Sequence, residues 1–244
     1  MPQAHQKIRL FLVADLRPDQ EVTLGREQAH YLVNVMRRGA GDTLGVFNGR
    51  DGEWLAEITA AGKREVLLRC REQVRAQTLH PDLWLAFAPV KKARTDFIAE
   101  KACEMGCRRL LPVFTEFTNS ERVNIARLQA HAIEAAEQCG NLSVPEIAEP
   151  APLRRVLGDL GDRQIMFCDE SGAGHAAETA LRAAGPGPWV VLIGPEGGFS
   201  EAEAARLRAM PAAHAVSLGP RILRADTAAV AALTIWQATL GDWP

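Results

Sequence analysis

The pattern of apolar and polar positions changes about a third of the way along the chain. In the first part, short apolar runs are separated by glycine-containing turns, and residues 28–36 have the spacing of a helix. The predicted strands in this part lie at 9–12, 43–47, 53–59 and 65–70. Short strands closed by tight turns predict a small barrel or sandwich.

Beyond residue 82 the apolar runs lose their alternation, which is typical of buried parallel strands. These predicted strands lie at 83–87, 110–114, 164–168, 190–193 and 215–218. Helical patterns separate them, at 95–105, 125–139, 175–184, 201–210 and 227–240. Strands that alternate with helices predict an α/β domain with a parallel sheet. We therefore expect two domains, 1–74 and 75–244.

Composition narrows the class of protein. With 47% hydrophobic and 24% charged residues, the chain has the balance of a globular protein in water. No apolar run approaches the ~20 residues of a membrane helix, and residues 1–20 do not resemble a signal peptide, so we expect a cytoplasmic protein without membrane contact. The five cysteines are scattered without zinc-ligand spacing, so we expect reduced thiols and no metal site.

The segment Gly194-Pro195-Glu196-Gly197-Gly198 follows an apolar run and precedes a helix. Ser200 and Glu203 have the spacing of a capping box, which fixes the start of that helix. The turn lacks both the Lys-Ser/Thr ending of a P-loop and the glycine spacing of a dinucleotide turn. Because Glu196 would repel an anion and attract a cation, the turn favours a cationic or neutral adenosine-type ligand.

A second glycine turn, at residues 218–224, leads into an alanine-rich helix. Leu218, Ile222 and Leu223 could form apolar walls, and the backbone of the turn could read a heterocycle. Arg224 and Asp226 then lie at the start of the helix. They are a candidate pair of site residues, although Asp226 could equally be an N-cap. Two such turns predict one shared pocket for a small molecule.

Charge argues against indiscriminate binding of nucleic acid, because the formal net charge is −2. Local basic clusters could still form one stripe in the folded protein, or could be separate solvated faces. They are Arg37-Arg38, Lys63-Arg64, Lys91-Lys92 with Arg94, and Arg108-Arg109.

The two turns, in segments 192–200 and 218–224, resemble those of the RsmE family of methyltransferases. Further marks of the same family lie at 30–39, 134–140 and 144–147, so the resemblance covers essentially the whole chain. The family uses S-adenosylmethionine to methylate N3 of one uridine in 16S rRNA of the small ribosomal subunit. The resemblance thus implies a methyltransferase that acts on ribosomal RNA.

The resemblance also implies a fold and a set of site residues. The fold is α/β, with a small N-terminal PUA-like β-barrel that binds RNA and a C-terminal SPOUT domain whose parallel sheet carries a trefoil knot. The family forms homodimers. The implied cofactor-binding residues are Leu192, Gly194, Pro195, Glu196, Gly197, Leu218, Gly219, Ile222 and Leu223. The candidate RNA-binding residues are Arg9, Arg37, Arg38, Lys91, Lys92 and Arg94.

The chain departs from the family pattern at two places. The family commonly has Arg-Thr-Glu-Thr where this chain has Arg224-Ala225-Asp226-Thr227, which shortens a carboxylate by one methylene and removes a hydroxyl. The family also often places an arginine where Asn141 stands. The second change removes a cation that could contact RNA or cofactor.

Methyl transfer to uracil N3 requires that the proton on N3 leaves. A carboxylate within hydrogen-bond reach could accept that proton, and Asp226 is the first candidate, with Glu196 the second. Arg224 could stabilise the negative charge that spreads onto the uracil oxygens. We therefore predict that Arg224 and Asp226 are the catalytic residues.

Two other functions fit part of the pattern. An α/β enzyme acting on a free nucleotide would explain both glycine turns but would leave the β-rich first domain without a role. A non-catalytic RNA-binding module would explain that domain but not a specialised pocket in the other one.

Overall fold

The computed structural model describes residues 8–120, 122–171 and 174–243, which form two compact units. Unit 1 extends to Leu79 and also contains Ala136–Ser143. Unit 2 contains His80–Ala135 and the chain from Val144 onwards. No helix among these described residues is long and apolar enough to span a membrane.

Unit 1 contains a small, mostly antiparallel sheet. Its described strands are β1 (Arg9–Phe11), β2 (Glu21–Leu24), β3 (Thr43–Phe47), β4 (Glu53–Ala61) and β5 (Val66–Arg75). They lie in the order β1-β3-β4-β5-β2, and only the β1–β3 pair among them is parallel. One face of the sheet packs on a core that includes Val46, Ile58 and Leu68. This small β unit confirms the predicted β-rich first part of the chain.

The predicted helix at 28–36 is divided. Helix α1 (Arg26–His30) continues into a π-helical turn, Tyr31–Val35, which buries Leu32 in the core. The amide of Met36 donates to the carbonyl of Tyr31, at 2.9 Å, and closes this wider turn. Such turns are rare and often occur at functional sites.

Unit 2 is built on a parallel sheet. Its described strands are β6 (Leu83–Phe87), β7 (Arg109–Phe114), β8 (Glu146–Ile147), β9 (Ala151–Pro152), β10 (Gln164–Cys168), β11 (His175–Ala176), β12 (Trp189–Ile193) and β13 (Ala213–Ser217). The order is β11-β13-β10-β12-β6-β7-β8, with β9 paired to β7. Every described pairing is parallel, and all of β12 is buried. The predicted α/β domain with a parallel sheet is confirmed.

Helices connect these strands. They are α2 (Lys92–Glu104), α3 (Ile125–Cys139), α4 (Leu153–Gly158), α5 (Ala177–Ala184), α6 (Glu201–Arg208) and α7 (Ala225–Leu240). Helix α3 has the predicted limits, and α6 begins with the predicted capping box of Ser200 and Glu203. The sequence did not predict α4, which has only six residues. The trefoil knot that the family implies stays a prediction.

A buried carboxylate joins α2 to α3. Asp96 accepts hydrogen bonds from Nε and Nη2 of Arg127, at 2.9 and 2.6 Å. This arginine holds the pKa of Asp96 below its ordinary value, against the opposing effect of burial. The pair therefore stabilises the fold above about pH 4, the pKa of an unfolded aspartate, and this contribution is lost as the pH falls through the lowered value.

We expect Asp96→Asn to lower the free energy of unfolding by about 1–2 kcal/mol at pH 7, because a charged hydrogen-bond acceptor is lost. The difference from wild type should shrink as the pH falls below about 4, where the carboxylate of the unfolded wild type is itself protonated. Urea denaturation across this pH range measures both effects. Asp159→Asn, in the exposed Arg155–Asp159 pair, is the control and should change little. If Asp96→Asn and wild type differed in free energy of unfolding by the same amount at every pH, the stabilising role of the Asp96 carboxylate would be contradicted.

Candidate active site

The strands β13, β10 and β12 are neighbours, and the segments that follow them surround one cavity of about 290 Å³. Its walls come from residues 168–171 at the end of β10, 193–196 at the end of β12, and 216–223 at the end of β13, with Gly198 and the first turn of α7. Ligands of parallel α/β sheets bind outside the carboxyl ends of the strands. Both glycine turns therefore line one cavity, as the sequence predicts.

The first turn brings bare backbone to the cavity. A Cβ on Gly194 would lie 2.7 Å from the ring of Phe199, so no side chain fits there. Gly198 has a φ of +72°, which strains any other residue, and its amide donates to the carbonyl of Pro195 at 3.0 Å. The capping box then fixes the chain as it enters α6. Gly194 is thus required by the packing of Phe199 and Gly198 by the backbone conformation, and both glycines line the cavity.

Glu196 of the cavity wall belongs to a group of three charged side chains. Arg94, in the first turn of α2, pairs with Glu196 of the first glycine turn. Its Nε also lies 3.8 Å from Oδ2 of Asp226, in the first turn of α7. The sequence predicted Arg94 as an RNA-binding residue, but the structure places its guanidinium against the two carboxylates.

The second turn contributes apolar and backbone groups. Leu218 and Leu223 are half-buried in the wall, whereas Ile222 lines the cavity with 86% of its surface exposed. Arg224 occupies the N-cap position of α7 and its side chain is exposed. Asp226 is therefore not the N-cap; it lies inside the first turn, and its Oδ1 accepts from the amide of Thr227 at 3.0 Å.

The part of the cavity wall formed by residues 168–171 was not predicted from the sequence. Asp169 directly follows β10 and accepts a hydrogen bond from Nη2 of Arg208, at 2.5 Å, and another from the amide of Ser171. Burial raises the pKa of Asp169, but these hydrogen bonds outweigh burial, so its net pKa lies below the ordinary value. The signal in the sequence was the run Asp-Glu-Ser directly after a buried apolar strand.

The cavity wall also contains a thiol. Burial raises the pKa of Cys168, which keeps it protonated and unreactive as a nucleophile. Cys70, Cys103 and Cys107 are buried too, whereas Cys139 is exposed. In the part of the chain that the structure describes, no group of three His, Cys, Asp or Glu side chains could hold a metal ion.

Most of the predicted cofactor residues line the cavity, and two do not. Leu192 is buried in the core of unit 2. Gly197 lies in the first glycine turn, where a Cβ would be 3.2 Å from Cβ of Phe117. The residues that line it are Gly194, Pro195, Glu196, Leu218, Gly219, Ile222 and Leu223. Their roles in binding stay predictions.

The predicted RNA-binding residue Arg9 is buried inside unit 1. Its Nε donates to Glu53 at 2.9 Å, and its Nη1 and Nη2 donate to the carbonyls of Ala136 and Asn141, each at 2.7 Å. Its guanidinium also lies over the ring of Phe47. Because every nitrogen of this guanidinium donates within the unit, the geometry is that of a structural residue and not of a phosphate ligand.

The other basic candidates differ in exposure. Arg37 is exposed and follows the π-helical turn with a φ of +54°, a conformation that arginine rarely adopts. Arg38 is half-buried, with Nη1 3.6 Å from Oδ1 of Asp42. In unit 2, Lys91 and Lys92 are exposed at the start of α2. These four side chains remain candidates for contacts with RNA.

Comparison with known proteins matches both parts of the chain to domains of RNA methyltransferases. The RNA methyltransferase domain family matches residues 78–237, and the RNA methyltransferase PUA domain matches residues 24–69. A relative from Synechocystis sp., called ribosomal RNA small subunit methyltransferase E, is 30% identical over 239 residues. The match covers 95% of this chain and 78% of the relative.

Two solved structures are similar over nearly their whole length. A methyltransferase from Legionella pneumophila, in complex with the bound cofactor SAM, has a TM-score of 0.89 and 27% identity, with 97% of this chain and 99% of that one covered. A ribosomal RNA small subunit methyltransferase E from Neisseria gonorrhoeae, bound to S-adenosyl methionine, has a TM-score of 0.87, with the same identity and coverage.

The matched domain and the cavity at the ends of its parallel strands define the class of protein, an RNA methyltransferase. Since similarity to the named relatives extends over nearly the whole chain, the protein belongs to the ribosomal RNA small subunit methyltransferase E family. The resemblance to the RsmE family is confirmed.

Proposed function

We propose that the protein transfers a methyl group from S-adenosylmethionine to N3 of one uridine in 16S rRNA of the small ribosomal subunit. One observation carries this proposal. The glycine-lined cavity at three strand ends has Glu196 in its wall, and Arg94 links this carboxylate to Asp226, in a fold shared with two structures that contain the same cofactor.

The residues of the cavity fit this cofactor. Its sulfonium group is cationic, and the Glu196 carboxylate lines the wall. The cavity volume of about 290 Å³ lies near the lower end of the range for small-molecule sites. We propose that the backbone of Gly194 and Gly219 and the side chains of Leu218 and Leu223 hold the cofactor. When bound, it would supply an electrophilic methyl group, and the electron pair of the broken C–S bond would stay on its sulfur.

The protein's own residues then prepare the uracil. Asp226 accepts the proton from N3, so that the nitrogen has an electron pair with which to form the new N–C bond. Glu196 is the second candidate for this base. Arg224, at the N-cap position two residues before Asp226, stabilises the negative charge on the uracil oxygens. Methyl transfer also requires that N3 of the uracil lies in line with the methyl group.

Exposed or half-buried cations on both units support the RNA part of the proposal. Arg37 and Arg38 in unit 1, with Lys91 and Lys92 in unit 2, are the proposed phosphate contacts. Arg9 is left out because it is buried. The target uridine must be splayed out of any duplex, because a duplex hides the edge that carries N3.

The remaining parts of the proposal rest on the family. We propose a homodimer, a trefoil knot in the second domain, and a division of the chain into a PUA-like domain at 1–74 and a SPOUT domain at 75–244. We also propose that the protein acts in the cytoplasm, where the small ribosomal subunit is assembled and modified.

Primer extension tests the substrate and the modified position together. The protein is incubated with S-adenosylmethionine and small ribosomal subunits that lack the modification. Reverse transcription should stop at one uridine, because a methyl group on N3 blocks Watson–Crick pairing. Omission of the cofactor is the control and should remove the stop. Absence of any stop, with cofactor binding shown by calorimetry, would point to a different substrate.

A further inference from the structure

We infer that Arg94 is a positioning residue for methyl transfer, which holds Glu196 of the cavity wall and Asp226 in place. The inference rests on the proposed function and adds a residue to it. It also replaces the interpretation of Arg94 as a contact to RNA phosphate.

Arg94 is suited to this role because its backbone is anchored and its side chain is mostly covered. Its amide donates to the carbonyl of Lys91 at 2.8 Å, in the first turn of α2. The side chain is 26% exposed, compared with 46% for Glu196 and 21% for Asp226. The adjacent Lys91 and Lys92 are exposed, so the phosphate-binding candidates and Arg94 differ in their surroundings.

Arg94 contacts two carboxylates that differ in their other contacts. Asp226 is held at both oxygens, because Oδ1 accepts from the amide of Thr227 and Oδ2 faces Arg94. Glu196 lies between Pro195 and Gly197, its side chain is 46% exposed, and its ion-pair partner is Arg94. The contact with Arg94 is therefore the restraint that orients Glu196.

The charges of Arg94, Glu196 and Asp226 also favour a cationic ligand. One guanidinium between two carboxylates leaves an excess of one negative charge in this group of side chains. That excess complements a cationic ligand in the cavity. If Arg94 turned away to bind a phosphate, Glu196 and Asp226 would lose their shared counter-charge, which opposes such a movement.

Steady-state kinetics of Arg94→Gln and Arg94→Lys with unmethylated small subunits separates positioning from RNA binding. We expect Arg94→Gln to lower kcat about 100-fold, since small misplacement of reacting groups has effects of that order, and to change the KM for subunits less than about 3-fold. Arg94→Lys retains the charge and should recover part of the loss. Arg155→Gln, in an exposed pair on α4, is the matched control and should match wild type.

Combining Arg94→Gln with Asp226→Asn tests whether the two residues act together. If they do, the double variant should be about as slow as the slower single variant. Multiplied losses would show independent action and overturn the inference. So would an unchanged kcat with a KM for subunits raised about 10-fold and a weaker dependence on salt, which is the signature of a phosphate contact.

Two controls keep the outcomes distinct. Thermal unfolding and calorimetry with S-adenosylmethionine show that Arg94→Gln is folded and binds cofactor. A wild type that binds cofactor but does not methylate subunits would overturn the proposed function. An active wild type whose Arg94→Gln variant keeps full kcat would overturn only the role of Arg94.

Discussion

Asp226→Asn should lower kcat for methylation of small subunits by about 10²–10⁴-fold, the usual contribution of a general base. Asparagine has nearly the same size, but its amide cannot accept the proton from N3 of uracil. Affinity for S-adenosylmethionine should stay within a few-fold of wild type, because Asp226 is not among the residues that line the cavity. Single-turnover rates with saturating cofactor, together with calorimetry, measure the two quantities.

The same measurement on Glu196→Gln distinguishes the two candidate bases. If Asp226 is the base and Glu196 attracts the cationic cofactor, Glu196→Gln should chiefly weaken cofactor binding. Arg224→Ala should lower kcat as well, because the charge on the uracil oxygens loses its partner. Near-normal rates in both Asp226→Asn and Arg224→Ala would contradict the assignment of the catalytic pair.

Arg9→Met should lower the free energy of unfolding of unit 1 by about 3–5 kcal/mol, the usual cost of removing one partner of a buried ion pair. The Arg9 and Glu53 side chains are 3% and 2% exposed, so without Arg9 the Glu53 carboxylate keeps only its partner Arg75. Arg9 also donates to three carbonyls, those of Ala136, Glu137 and Asn141, and these would lose this donor. Urea denaturation followed by a probe in unit 1 measures the loss.

Arg50→Met is the matched control in the same unit. Arg50 pairs with Asp15 at the surface, with both side chains more than half exposed, so we expect a change within about 0.5 kcal/mol. If Arg9→Met left stability unchanged but weakened binding to subunits, Arg9 would be an RNA contact after all.

The sequence predicted those parts of the fold that local patterns determine. The buried strands β6, β10 and β12 are continuous apolar runs, and α3 has the 3.6-residue period over its full length. The strands β8, β9 and β11 were missed because two residues show no period. The strand β2 was missed for a related reason, since its four residues alternate too briefly.

The site shows the same division between local and distant information. Each glycine turn is visible by itself, and so is the capping box that follows the first of them. Arg94 and Glu196 are separated by 102 positions, and Arg9 and Ala136 by 127. No local pattern reports such contacts, so a buried structural arginine and a site arginine both had the sequence signature of basic surface residues.

Mass spectrometry of nucleosides tests the central claim most directly. Unmodified small subunits are incubated with the protein and with S-adenosylmethionine that carries a deuterated methyl group, and their 16S rRNA is then digested. We predict about one 3-methyluridine per subunit with the heavy methyl group, and none with the Asp226→Asn variant over the same time. A heavy methyl group on another base or on a ribose, or none at all although the cofactor is bound, would contradict the account.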